Sequence, residues 1–324
     1  MEFIVTIDTE GDNQWDHGRE LTVENVKFVP RFQALCDRYH IKPTYMVTSE
    51  ICEDPFAQEL FRDYQVTGKA EIGAHLHSWT TPPYRDRDGL RLNDRNHTFA
   101  HELPDLLLNE KIKILTEQIE KAFGKRPLSF RSGRYGFNSH VAKALVSNNY
   151  IVDSSITPMI DWSGFKGLPG GPGGPDFMDK TAMPFRYRIN GKSLLEIPIT
   201  VLPTKFPLNK SAALAKCYFR NVGHNILLRA IRRLAYNHQP LWLRPNHWMT
   251  NGLFNDLIEE AKRLRLPHIV MMFHSSELMP GSSRYWPNED SVEILFYQLE
   301  GLFNLVHDKQ IESATLTEAA QNFL

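Results

Sequence analysis

Hydrophobic positions along the chain fall into two alternating patterns. Residues 3–7 form a short apolar and β-branched run ending in Asp8, Thr9, Glu10 and Gly11, the signature of a buried strand that feeds a polar loop. Apolar residues then recur at helical spacing at Val26, Val29, Phe32, Leu35 and Cys36, and this helix should stop near Tyr39 and His40. The alternation predicts a strand at 43–47, a helix at 55–64, a strand at 70–74 and a helix at 105–123 stopped by Gly124. Further strands are predicted at 128–130, 150–152, 194–201, 241–243 and 268–273, with helices at 138–147, 211–236, 255–265 and 292–307. Such strand-helix repetition implies a parallel sheet, either doubly wound or closed into a barrel.

Two stretches break the pattern. Residues 78–103 carry Pro82, Pro83 and a dense charge cluster, and residues 163–176 contain the Gly/Pro run from Gly167 to Pro175. Gly and Pro at that density cannot continue a helix or a central strand, so loop insertions are expected near 78–104 and 161–185. Both leave strand ends, where a barrel places its active site; a mobile insertion without chemistry is the alternative for the Gly/Pro run.

Length and composition narrow the picture. The 324 residues suit one α/β barrel, and 42% hydrophobic residues supply a packed core. With 37 basic against 38 acidic residues there is no net field for gripping nucleic acid or an anionic membrane. Cys36, Cys52 and Cys217 follow no C-x-x-C pattern, and reduced thiols in a cytoplasmic setting are the simplest reading. The first residues read as a core strand rather than a secretory signal, and no apolar stretch approaches the roughly 20 residues of a membrane span.

Candidate chemistry gathers at strand ends. Asp8 and Glu10 are two apart and converge if the backbone stays extended, so one can bind a metal while the other takes a proton from water; a simple acidic turn is the alternative. His75 and His77, after Glu71-Ile72-Gly73-Ala74, show the same spacing and suit a divalent ion wanting nitrogen ligands. Arg131 and Arg134 follow the strand at 128–130; buried near carboxylates, an arginine would orient Asp8, whereas on a surface turn both would be solvated. Asp153-Ser154-Ser155 could accept from Arg131 or form a plain turn. His274 leaves the apolar run 270–273, where it could protonate a leaving amine or sit as a satisfied core histidine. Trp79, Trp162, Trp248 and Trp286 fall in candidate loops and could stack on sugars, although aromatics are more often core.

In this order the segments resemble the polysaccharide deacetylase family, carbohydrate esterase family 4, over nearly the whole chain. The resemblance implies a single catalytic domain over 1–324, a distorted (β/α) barrel with about seven parallel strands and long strand-end loops. By the match, Asp8 is the general base and Glu10 a metal ligand, separated by one residue as in one branch of the family. The family usually places its two histidine ligands four apart; here Trp79 occupies that position and His77 is the second histidine, with His97 and His101 in reserve. Phe130-Arg131 and Arg134-Tyr135-Gly136 resemble the motif whose arginine orients the base and whose backbone near the tyrosine forms an oxyanion hole. Val152-Asp153-Ser154-Ser155 resembles the fourth motif, with Asp153 a further catalytic candidate, and Leu195-Glu196-Ile197-Pro198 a strand of these enzymes. Met272-Phe273-His274 resembles the general-acid motif.

The implied activity is hydrolysis of an N-acetyl group on an amino sugar, in a polysaccharide or its precursor, with a divalent ion, Zn2+ being the expected one. Tyr135 and Trp79 are the substrate-binding candidates. The implied partner is an N-acetylated carbohydrate, free or linked to a nucleotide or lipid, in surface-polysaccharide assembly. Two alternatives stand: hydrolysis of another non-peptide C–N bond, and a degenerate barrel that binds sugar without turnover.

Overall fold

The computed structural model describes residues 1–13, 21–84, 98–204, 208–210 and 240–323. β1 (Glu2–Thr9) is buried at every residue after the first, as its unbroken apolar run requires of a strand covered on both faces. The predicted helix over 26–36 divides into a 3-10 turn at Glu24–Phe28 and α1 (Val29–Arg38). Pro30 sits in the first turn of α1, where a missing amide breaks no helical bond. β2 (Thr44–Val47), α2 (Ser49–Glu53), α3 (Pro55–Val66) and β3 (Glu71–Leu76) follow, α3 being capped by Asp54 on Ala57 N at 2.8 Å. Next come α4 (Asp105–Phe123), stopped at Gly124 as expected, β4 (Ser129–Ser132), α5 (Ser139–Ser147) and β5 (Val152–Asp153).

β6 (Phe185–Ile189) and β7 (Lys192–Glu196) form an antiparallel hairpin that the hydrophobic pattern did not predict. Its turn is Asn190-Gly191, both at positive φ (49° and 78°), the pair a two-residue hairpin favours. The predicted strand 194–201 is interrupted: β7 ends at Glu196, and β8 (Val201–Leu202) pairs instead with β9 (Leu241–Trp242). α6 (Asn251–Arg263), β10 (His268–His274), α7 (Glu289–Asp308), β11 (Glu312–Ser313) and α8 (Leu316–Asn322) complete the described chain. The helix predicted at 211–236 lies outside the described residues.

The sheet runs β10-β1-β2-β3-β4-β5-β7-β6, with β11 pairing beside the start of β1. Every neighbouring pair on that path except β7–β6 is parallel, and the sheet curls into a distorted (β/α) barrel with helices outside. Irregular backbone spans the gap between its ends. Thr200 N donates to Val270 O at 3.1 Å, Leu243 N to Thr200 O at 2.9 Å and Met272 N to Leu243 O at 3.2 Å.

Along β1, Phe3, Val5 and Ile7 pack in the main core beneath the helices, while Ile4 joins Met46, Val152, Leu195 and Val270 in a second cluster closed by Leu316 and Ala319 of α8. The next residues on the Ile4 face are Thr6 and Asp8, so polarity rises toward the C-terminal strand ends. Cys36 and Cys52 are buried free thiols, whereas Cys217 lies outside the described residues. Among the described residues no helix is long and apolar enough to cross a membrane.

Candidate active site

Strand register assembles the polar centre. Asp8 is in register with His274 across β1 and β10, and His75 with Arg131 across β3 and β4. Glu10 and His77, each two residues beyond a strand-end partner, extend the same inward faces. Glu10 Oε2 lies 3.4 Å from His75 Nε2 and 3.0 Å from His77 Nε2, and the two imidazole nitrogens are 3.1 Å apart. All three side chains are buried.

Arg131, fully buried, holds Asp8. Its Nη1 donates to Asp8 Oδ1 at 2.6 Å, and Nε and Nη2 donate to Ser154 O and Oγ at 2.7 and 3.1 Å. Burial works to raise the Asp8 carboxyl, but Arg131, then His75 and His274, outweigh it and keep it below the usual carboxylate range. For Glu10, burial is likewise outweighed by His77 and His75, and its carboxyl is held far below that range. Asp8 Oδ2 faces the cleft, 3.8 Å from His75 Nε2 and 4.0 Å from His274 Nε2.

The donor set fits a cation. His75 Nδ1 lies 3.1 Å from Arg131 O, which can only accept, so this nitrogen carries a proton and the ring is held with Nε2 facing Glu10. Among the described residues the buried His77 Nδ1 has no hydrogen-bond partner, so none of them fixes that ring by a second bond. Glu10, His75 and His77 thus aim one carboxylate oxygen and two imidazole nitrogens at a common point, all within 4.8 Å of one another. A divalent ion of the zinc class takes such ligands and leaves positions for water and substrate.

On the facing side stands His274. Glu277 Oε1 accepts from His274 N at 3.0 Å, lies 3.2 Å from His274 Nδ1 and accepts from Arg244 Nη2 at 2.7 Å, while Oε2 accepts from Trp286 Nε1 at 3.0 Å. Burial opposes the imidazolium, but the Glu277 bond, then Glu10 and Asp8, raise His274 above its ordinary value. Burial would raise Glu277 too; Arg244 and His274 bring it down to about 2.

These groups floor a cleft of about 860 Å3 whose walls include Phe99, Tyr135, Trp162, Phe165 and Tyr285. Tyr135 stacks on Trp162 at 5.1 Å and follows Arg134 in a turn where both residues take positive φ, 53° and 59°. Such backbone is strained for residues with side chains, and here it brings Tyr135 against the cleft.

No family model matches the chain, and no curated protein matches it significantly. Among solved structures, one from Mycobacterium smegmatis assigned as a polysaccharide deacetylase is similar over 99% of this chain and 89% of its own, with TM-score 0.59 and 13% identity. The fold is that of the polysaccharide deacetylases. Puue allantoinase is similar over 99% of this chain and 89% of its own, with TM-score 0.51 and 14% identity.

Within this deacetylase fold, Asp8, Glu10, His75, His77, Arg131 and His274 come together at one centre, and Tyr135 lines the cleft. Two further candidates, Asp153 and Trp79, lie away from that centre. Asp153 is in register with Phe130 and Glu196, on the sheet face opposite Arg131, so Ser154 rather than Asp153 holds the arginine. Burial pushes Asp153 up to about 6, against the lowering by its bonds to Glu196 and Ser155, whereas burial and the Asp153 charge together push Glu196 well above its ordinary value. Trp79 is buried behind the histidines, stacked on His77 at 4.3 Å, and is not among the cleft-lining residues. His101 Nε2 meets Gly173 O at 2.9 Å, away from the centre, and His97 lies outside the described residues. Trp286 is buried under Glu277, and Trp248 is about half exposed without lining the cleft.

Sequence reasoning gave Glu277 no task, although its place three residues after His274 in a turn was the available signal. It also missed Glu102, whose carboxylate accepts from Phe99 N, Leu168 N and Gly173 N at 2.9, 3.0 and 3.1 Å. The Gly/Pro run is therefore wrapped around a side chain from the preceding insertion.

Proposed function

We propose that the chain is a single-domain, metal-dependent hydrolase that removes an N-acetyl group from an amino sugar of a polysaccharide or its biosynthetic precursor. The observation that carries this reading is the buried Glu10, His75 and His77 group between an arginine-held Asp8 and a glutamate-held His274. A divalent ion, with Zn2+ the expected one, would be held by Glu10, His75 and His77 and would supply Lewis acidity toward the acyl carbonyl and water.

The chain's own groups divide the proton transfers. Asp8, ionised at neutral pH by Arg131, accepts a proton from the attacking water through its free Oδ2. Arg131 keeps Oδ1 occupied and so fixes which oxygen acts. The backbone of the strained turn at Arg134 and Tyr135 is assigned to the developing oxyanion. His274, its Nδ1 side held by Glu277, gives a proton from Nε2 to the amine as the C–N bond breaks. Acetate and the free amino sugar leave.

The test is acetate release by the zinc-loaded protein across N-acetylated sugars and sugar conjugates, with Asp8→Asn as control. Release that the Asp8 variant abolishes is the expected result; release from none of the panel would sink the reading. A second reading, hydrolysis of another non-peptide C–N bond such as a cyclic amide, draws on the likeness to an allantoinase. Ring opening of a cyclic ureide in the same assay, with no acetate from any sugar, would favour it.

A further inference from the structure

The catalytic roles use the floor of the cleft and leave most of its cationic rim without a task. Arg134, Lys166, Arg244 and Arg284 all line the cleft. Two of them flank one ring: the guanidinium carbons of Arg244 and Arg284 lie 5.3 and 5.1 Å from the Tyr285 centroid. Elsewhere on the rim, Arg134 lies 3.9 Å from the Phe99 ring and donates to Lys166 O at 3.0 Å, which sets it beside Lys166.

The floor carboxylates are already engaged. Asp8 has Arg131, Glu10 has the two histidines, and Glu277 has Arg244 and His274. Arg284 donates to Tyr285 Oη at 3.0 Å, and among the described residues neither it nor Lys166 forms an ion pair. Arg244 adds an independent observation, because its Nη2 serves Glu277 while its Nε is buried without a hydrogen-bond partner. A guanidinium N–H in that position needs an acceptor, and the described chain supplies none.

We propose that the substrate is an acidic sugar derivative. Its N-acyl group lies over Asp8 and His274, while a phosphoryl or carboxylate group on the same molecule meets Arg244, Arg284 and Lys166, all of which line the cleft. This rests on the hydrolase reading of the floor. Guanidinium forks suit the planar or tetrahedral oxygens of either anion, and a neutral glycan would desolvate these cations without compensation. Contact with the same Tyr285 ring keeps both guanidiniums at one part of the cleft rim.

The experiment compares three probes on the zinc-loaded protein: N-acetylglucosamine 1-phosphate, an N-acetylhexosaminuronic acid and the neutral methyl glycoside of N-acetylglucosamine. Binding is read by calorimetry and turnover by acetate release. At least one charged probe should bind about 10-fold or more tightly than the neutral one. That advantage should shrink about 5-fold in Arg284→Gln and in Lys166→Gln, and further at high salt. Arg31→Gln, on the remote pair with Glu293, should keep it. The phosphate and uronate arms tell which anion is meant. Equal binding of neutral and charged probes, or an advantage untouched in both rim variants, overturns the proposal. Charge-dependent binding without acetate from any probe retains the anion site and fails the hydrolase reading. Acetate release with the same KM for neutral and charged sugars does the reverse.

Discussion

Replacing Glu277 by Gln tests the acid half of the site most directly. The substitution keeps shape and an acceptor oxygen but removes the charge that His274 and Arg244 face at 3.2 and 2.7 Å. At an effective dielectric of about 20, attraction across the His274 contact is about 5 kcal/mol. The retained hydrogen bond and the partly exposed imidazole, 27% accessible, offset more than half of it. About 1.5–2.5 kcal/mol remains, a roughly 10- to 70-fold loss in the equilibrium that keeps His274 protonated. The sign follows from the raised His274: its acid form is lost as pH rises, so losing Glu277 moves that loss to lower pH. The basic limb of kcat/KM should therefore shift acidward, with activity near pH 8 falling about 10-fold or more while activity near pH 6 changes less. The assay is a pH–rate profile of the zinc-loaded variant, with direct titration of the His274 ring by NMR and Glu277→Asp as the conservative comparison. A uniform loss at every pH, with the ring titrating as in the parent, would refute the reasoning and leave Glu277 as a structural partner of Arg244 alone.

Other outcomes are expected from the same geometry. Glu10→Gln and His75→Ala should lower zinc affinity about 100-fold or more, whereas Asp8→Asn should retain the metal and lose about 100- to 10,000-fold in turnover; metal content and rate on the same preparations check the division. Gly167→Ala places a Cβ within 1.9 Å of the Glu102 carboxylate, so KM should rise several-fold, by roughly 1 kcal/mol of lost binding, with little change in Tm. Asp153, lifted from 3.8 to about 6, binds its proton more tightly in the folded state, so the stability it contributes is full below about pH 4 and lost as pH rises through about 6. In Asp153→Asn the Asp153 share of that loss is absent while the Glu196 share remains; denaturant midpoints of parent and variant that stay parallel from about pH 4 to 7 would contradict this.

The parts of the site that sequence made legible share one cause. Parallel strands end on the same side of a sheet, and a side-chain period of two makes Asp8 with Glu10, or His75 with His77, neighbours whatever the loops do. Face assignment failed where the strand is too short to show a period. β5 is two residues long, and only the pairing of Asp153 with Phe130 shows that it turns away from Arg131. Trp79 misled for a related reason, because a tryptophan beside a histidine pair reads equally as a sugar platform or as packing, and stacking on His77 makes it packing. β6 was hidden between a glycine-rich loop and a strand, although Asn190-Gly191 announced the turn. Glu102 left little local trace, since only Phe99 N is a near donor and the other two come from 66 and 71 residues away.

The wrapping of the Gly/Pro run around Glu102 bears on how such a cleft can be altered. Trp162, Phe165 and Lys166 belong to one insertion and Phe99 to the other, yet a single carboxylate ties the two, and Arg134 donates to the first while lying over the second. The walls are thus inherited as a unit. A chimera that takes only residues 163–176 from a relative would strand Glu102 among foreign amides, whereas one that moves 98–104 with them carries its own fastening. Selectivity in this scaffold should change by exchange of matched loop pairs rather than by one loop at a time.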